Sequence, residues 1–73
     1  MAEPGAVPPG RYRHFKGDEY EVVAVARHSE SEAVLVVYHP AGQPDDLWVR
    51  PIAMWNEPKE TAAGLVPRFR RVP

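Results

Sequence analysis

The hydrophobic residues of this chain fall in short runs divided by polar punctuation, and no segment sustains a 3.6-residue period. Tyr20-Glu-Val-Val-Ala-Val-Ala-Arg27 and Ala33-Val-Leu-Val-Val-Tyr-His39 are β-branched and aromatic, which predicts two central strands. Arg11-Tyr-Arg-His-Phe15 is a further strand that turns at Lys16-Gly-Asp18. Leu47-Trp-Val-Arg50 is a fourth candidate and Val66-Pro-Arg-Phe-Arg-Arg71 a fifth. Turns are marked by Gly17, by His28-Ser-Glu-Ser-Glu32 and by Pro40-Ala-Gly-Gln-Pro-Asp-Asp46. Pro51 to Glu57 reads as one helical turn, with Pro51 suited to a first helical position and Pro58 stopping it.

Five short strands within about 60 residues are too few for two full sheets, and closing a bent sheet removes its exposed edges. The expected fold is all-β: a small SH3-like five-stranded barrel with one short helical turn. The prolines agree. There are nine, and Gly10 to His39 holds none, so that stretch can donate every backbone N–H as a sheet interior requires. Residues 1–9 are rich in Pro, Gly and Ala and read as a mobile N-terminal tail, which leaves 10–73 as a single domain.

Size and composition narrow the chemistry. At 73 residues and 8.2 kDa the chain supports one thin core. With no cysteine, disulfides, thiolate metal sites and thiol catalysis are excluded. No apolar run approaches the roughly 18 residues of a membrane span, and no secretory apolar block opens the chain, so the expected setting is cytoplasmic without membrane contact. His14, His28 and His39 lack any metal-ligand spacing, so neither metal nor cofactor is expected.

Charge is unevenly spread although the net charge is −1. Arg11, Arg13 and Lys16 lie near the start of the chain and Arg68, Arg70 and Arg71 near its end, while the middle is acidic. If the first and last strands are neighbours, six basic residues converge. That patch would meet phosphates or an acidic partner, or would simply guard a sheet edge against aggregation.

Trp48 and Arg50 alternate with Leu47 and Val49, and the pattern allows two arrangements. If Leu47 and Val49 face inward, Trp48 and Arg50 form an outer stacking surface with an anion clamp. In the reverse arrangement Trp48 enters the core and Arg50 meets a carboxylate such as Glu30. His28-Ser29-Glu30 has catalytic vocabulary, but adjacent side chains diverge and cannot form a relay, so Ser29 and Glu30 are expected to close the turn through backbone hydrogen bonds. Tyr12, Tyr20 and Tyr38 read mainly as core residues with polar tips.

Gly10-Arg-Tyr-Arg-His-Phe-Lys-Gly17, Ala26-Arg-His-Ser-Glu30, Val37-Tyr38 and Trp48-Val-Arg-Pro51 followed by Met54 resemble the motifs of a small bacterial family, the domain of unknown function 1653. The resemblance runs from Gly10 to about Arg71. Two positions depart from it: Ala41 stands before Gly42 where the family has an aromatic, and Trp55 replaces a favoured phenylalanine. It implies a β-rich bacterial domain and supplies no activity.

The functional expectation is a non-enzymatic binding module for a small polar ligand or a protein partner, acting as a monomer or weak dimer. Its ligand-binding set is His28, Ser29, Glu30, Trp48, Arg50, Tyr12, His14 and Tyr38, with Arg50 expected within reach of Glu30. The alternatives are a small enzyme domain using His28 and Glu30, and nucleic-acid binding through the basic terminal strands.

Overall fold

A computed structural model describes residues 6–73. The elements are β1 (Gly10–His14), β2 (Glu19–Arg27), β3 (Val34–Pro40), β4 (Trp48–Pro51), α1 (Ile52–Trp55), β5 (Pro58–Thr61), β6 (Gly64–Pro67) and β7 (Phe69–Arg71). Five strands form one antiparallel sheet in the order β4-β3-β2-β1-β7, and β5 and β6 form a separate hairpin. The expected pairing of the first and last strands of the fold is present, with Tyr12 opposite Arg71 and His14 opposite Phe69.

Residues opposed across an antiparallel pair share a face. Tyr12 opposes Tyr20, Val22 opposes Tyr38, and Val36 opposes Arg50, which defines the core face. A bulge between Val22 and Ala24 shifts the register, so that beyond it Val25 rather than Ala24 faces Val36. The buried set on this face is Val7, Tyr12, Val22, Val36, Tyr38, Trp55 and Phe69. Trp55, delivered by α1, stacks on Phe69 at 3.7 Å with the rings 4° from parallel. Tyr12 and Tyr38 meet Trp55 edge-on at 5.5 and 5.1 Å. Such pairs contribute about 0.5–1.5 kcal/mol each beyond their buried area, a large share for so thin a core.

The sheet is strongly curled but not closed. Phe69 of β7 lies 6.3 Å from Tyr38 of β3, and the Arg50 guanidinium of β4 sits 5.7 Å over the same ring. The two edge strands therefore meet through side chains without hydrogen-bonded closure, and the expected closed barrel is replaced by an open sheet lidded by α1 and the segment around Val7.

Two further expectations change. The fifth strand, read as continuous over 66–71, breaks at Arg68: its first part pairs with β5 and its second with β1. β5 is absent from the sequence reading because Pro58 marks a stop and Lys59-Glu60-Thr61 is polar, yet the turn at Ala62-Ala63 is fastened by Thr61, whose Oγ1 accepts from Ala63 N–H at 3.1 Å and donates to the Gly64 carbonyl at 3.0 Å. Of the expected tail, positions 1–5 lie outside the described residues. Val7 is buried, with 5% of its surface exposed, and the Pro8 carbonyl accepts the Tyr12 hydroxyl at 2.8 Å, so this segment caps the core.

Candidate functional site

A cavity of about 430 Å3 opens where the β1–β2 turn, the end of β6 and the chain leaving β7 come together. Its volume is within the range of small-molecule sites. Arg13, Arg70 and Arg71 contribute to the lining, Phe15, Val66 and Pro67 supply apolar wall, Val72 and Pro73 complete it, and among the described residues no Asp or Glu side chain lines it. Arg13 is tied to Glu19 at 2.8 Å. Arg70 and Arg71 have no carboxylate partner among the described residues, and they point to opposite faces of β7: Arg70 opposes Arg13, while Arg71 opposes Tyr12 and lays its guanidinium against Gly10.

His14 lies at the rim of this cavity and at the end of β1. The tight turn behind it is closed by Gly17 N–H on the His14 carbonyl at 2.7 Å, with Gly17 at φ 109°, where a side chain would be strained. The His14 Nδ1 accepts from the Lys16 N–H at 3.2 Å, which places the neutral ring's proton on Nε2. Burial holds the His14 pKa below its ordinary value, and the nearby Arg68, Lys16 and Arg50 push it the same way. Its ring meets Phe69 edge-on at 5.0 Å and Phe15 at 4.5 Å. Lys16 lies 5.9 Å from the Phe15 ring centre.

On the core face Arg50 packs on Phe69, and Arg68, at the bend before β7, donates to Glu57 at 3.2 Å. The Arg68 side chain is only 12% exposed. The Nε–H groups of both arginines are buried without an acceptor, an arrangement that costs on the order of 1–3 kcal/mol for each donor.

The anticipated ligand residues do not converge. Arg50 and Trp48 share the core face, opposite Val36 and Tyr38, which is the second of the two arrangements considered. Trp48 nevertheless remains 54% exposed, on the edge strand β4, although Tyr38 opposite it is buried. Arg50 makes no ion pair with Glu30; its partner is the Phe69 ring. The reason is register: Arg50 is level with Val36, while Glu30 stands on the exposed turn beyond Arg27 and Val34. Trp48 lies further away still, level with Tyr38.

That turn is organised by His28 and Ser31 rather than by Ser29 and Glu30. The His28 Nδ1 accepts N–H from Glu30 and Ser31 at 3.1 and 3.2 Å, and Ser31 Oγ accepts from Ala33 N–H at 3.2 Å. Tyr12 and Tyr38 are buried core residues, and burial raises the Tyr12 phenol pKa against the opposing pull of Arg71. Among the described residues no group of three His, Asp or Glu assembles as a metal site. No helix is long and apolar enough to cross a membrane.

Of the expected set, His14 alone lines the cavity. Arg13, Arg70 and Arg71 were visible in the sequence as part of the basic terminal cluster, and they emerge from it as site residues because β1 and β7 are neighbours. Three members of that cluster are already paired: Arg11 with Glu19 and Glu21, Arg13 with Glu19, and Arg68 with Glu57.

The chain matches the family model "Protein of unknown function (DUF1653)" over residues 10–71. No curated protein matches it. It is similar to the crystal structure of a DUF1653 protein from Bordetella bronchiseptica, at 43% sequence identity and a TM-score of 0.76, over 90% of this chain and 87% of that one. With the family model and a solved fold in agreement over nearly all the described residues, the chain belongs to the DUF1653 family.

Proposed function

We propose that this domain is a non-enzymatic binding module for a small organic anion, held in the cavity at the β1–β7 end of the sheet. The observation that carries the reading is the pairing of uncompensated charge with a pocket: Arg70 has no carboxylate partner among the described residues and lines a cavity into which no described Asp or Glu reaches. Phe15, Val66 and Pro67 would receive the apolar body of the ligand, and the Arg70 guanidinium its carboxylate or phosphate. The SH3-like character expected of the fold belongs to the same proposal, as a curled sheet presenting a ligand at one rim. Catalysis by His28 and Glu30 loses ground because His28 Nδ1 is occupied by the turn's own backbone. Nucleic-acid binding loses ground because half of the six terminal cations are paired with glutamates.

The test is an amide NMR titration with butyrate and with inorganic phosphate. Saturable shifts are expected at Arg13 to Gly17 and at Arg70 to Val72. A charge-assisted hydrogen bond contributes about 1.5–3 kcal/mol, so Arg70→Ala should weaken binding roughly 10- to 100-fold. Shifts that stay linear and scattered over the surface would refute the site.

A further inference from the structure

The two edges of the five-stranded sheet are defended unequally. An edge strand offers unpaired backbone N–H and C=O groups to any other strand, and charged side chains and prolines are the usual protection. At one edge, β7 is three residues long, carries Arg70 and Arg71, and lies between Pro67 and Pro73. At the other edge, β4 pairs with β3 alone among the described strands. Leu47, just before β4, and Trp48 and Val49 within it are all more than half exposed. The one basic residue of β4, Arg50, lies over the Phe69 ring and so does not guard the edge.

A second copy of the chain fits this edge. Opposed residues of an antiparallel pair share a face. When two copies of one strand pair about a two-fold axis, that axis must therefore pass through a residue rather than between two. With the axis at Trp48, that side chain meets its own copy, Leu47 meets Val49, and Asp46 meets Arg50, the last two contacts each made twice. An axis at Val49 would leave Asp46 without a cation, and an axis at Leu47 would set Asp46 against Trp48. Asp46 is held directly before β4, its N–H donating to the Gln43 carbonyl at 3.1 Å. Neither Asp46 nor Arg50 has an ion-pair partner among the described residues of its own chain. The Trp48 register supplies each with the charge it lacks. A net charge of −1 adds little repulsion between copies.

We propose that two copies of this chain associate through β4, antiparallel about a two-fold axis at Trp48, so that their sheets join edge to edge. The contact uses no residue that lines the cavity, and it stands whether or not that cavity takes an anion. It is also short. Interfaces under about 1,200 Å2 in total are weak or transient, and a strand of about five residues a side belongs with them. The dimer should therefore be half formed somewhere between about 10 μM and about 1 mM.

Sedimentation equilibrium of the full chain, loaded from about 10 μM to about 2 mM, should follow a reversible monomer–dimer equilibrium. Val49→Lys puts a charge on the edge at an exposed position and should weaken association at least about tenfold. Asp46→Lys sets a lysine against Arg50 and should weaken it in the same direction. In a sample mixing isotope-labelled and unlabelled chains, intermolecular NMR contacts between the Leu47 and Val49 methyl groups report the register. A chain that stays monomeric at about 2 mM would leave the edge to another protein's strand and overturn the inference. So would a dimer that either variant leaves unchanged, or intermolecular contacts that omit the Leu47–Val49 pair. Circular dichroism shows whether the variants are folded. If Val49→Lys is not, Asp46→Lys and the methyl contacts of the unaltered chain decide.

Discussion

Phe69 is the residue on which the core converges, and Phe69→Ala is its direct perturbation. The ring is 8% exposed, stacks on Trp55, meets Tyr20, Tyr38 and His14 edge-on, and carries the Arg50 guanidinium. A buried phenylalanine removes about 150–200 Å2 from water, which at about 25 cal/mol/Å2 amounts to roughly 4 kcal/mol. Alanine keeps only the Cβ share, and the unfilled space adds a cavity cost, so the expected loss is about 3–5 kcal/mol. A domain of this length has a total stability of only about 4–11 kcal/mol. Equilibrium urea denaturation followed by far-ultraviolet circular dichroism measures the change. With a slope near 1 kcal/mol/M, the midpoint should fall by about 3 M or more, or the variant should be unfolded in buffer. Phe69→Leu keeps most of the volume and loses the stacking, so about 1–2 kcal/mol is expected there. A loss below about 1.5 kcal/mol for Phe69→Ala would refute the packing argument, since no well-packed site collapses that completely.

Other outcomes follow from particular contacts. Because His14 titrates below its unfolded value, the unfolded chain binds the proton first. Stability is therefore full above about pH 6.5 and declines as pH falls from there toward the folded pKa; His14→Gln should flatten that limb of the stability profile. A ligand anion beside His14 should raise its titration midpoint, read from the ring proton shift. Val7→Ala should cost about 1–2 kcal/mol, whereas a loss within about 0.5 kcal/mol would mean that the segment does not cap the core. A double-mutant cycle between Glu30→Ala and Arg50→Ala should show coupling within about 0.5 kcal/mol, and a larger value would place the two side chains in contact.

Much of the sheet was legible because its signals are local. β-Branched runs and Gly-marked turns located β1 to β4, and the expectation of a bent sheet bringing its ends together anticipated the pairing of β1 with β7. The hairpin of β5 and β6 was not legible, because its strands are held by cross-strand pairing and by Thr61 at the turn rather than by apolar content. Val7 was hidden in a segment whose composition suggests disorder, since one buried methyl pair leaves no periodic trace. The site was half legible. His14 and the basic cluster were visible, but the bulge near Val23 and the offset between Arg50 and Glu30 are facts of register, which a single sequence does not print.

The pairing of β1 with β7 also governs how the protein is made. Strands β1 to β4 are a meander of neighbours and can zip together hairpin by hairpin as they leave the ribosome. β7 comes last, and until it emerges Trp55 has no stacking partner, Arg50 has no ring to rest on, and β1 keeps an open edge. The contact of greatest sequence separation is thus the one that completes the core, and loop closure must precede its reward. Completion of the core therefore waits on β7, which must find β1 across nearly the full span of the described fold.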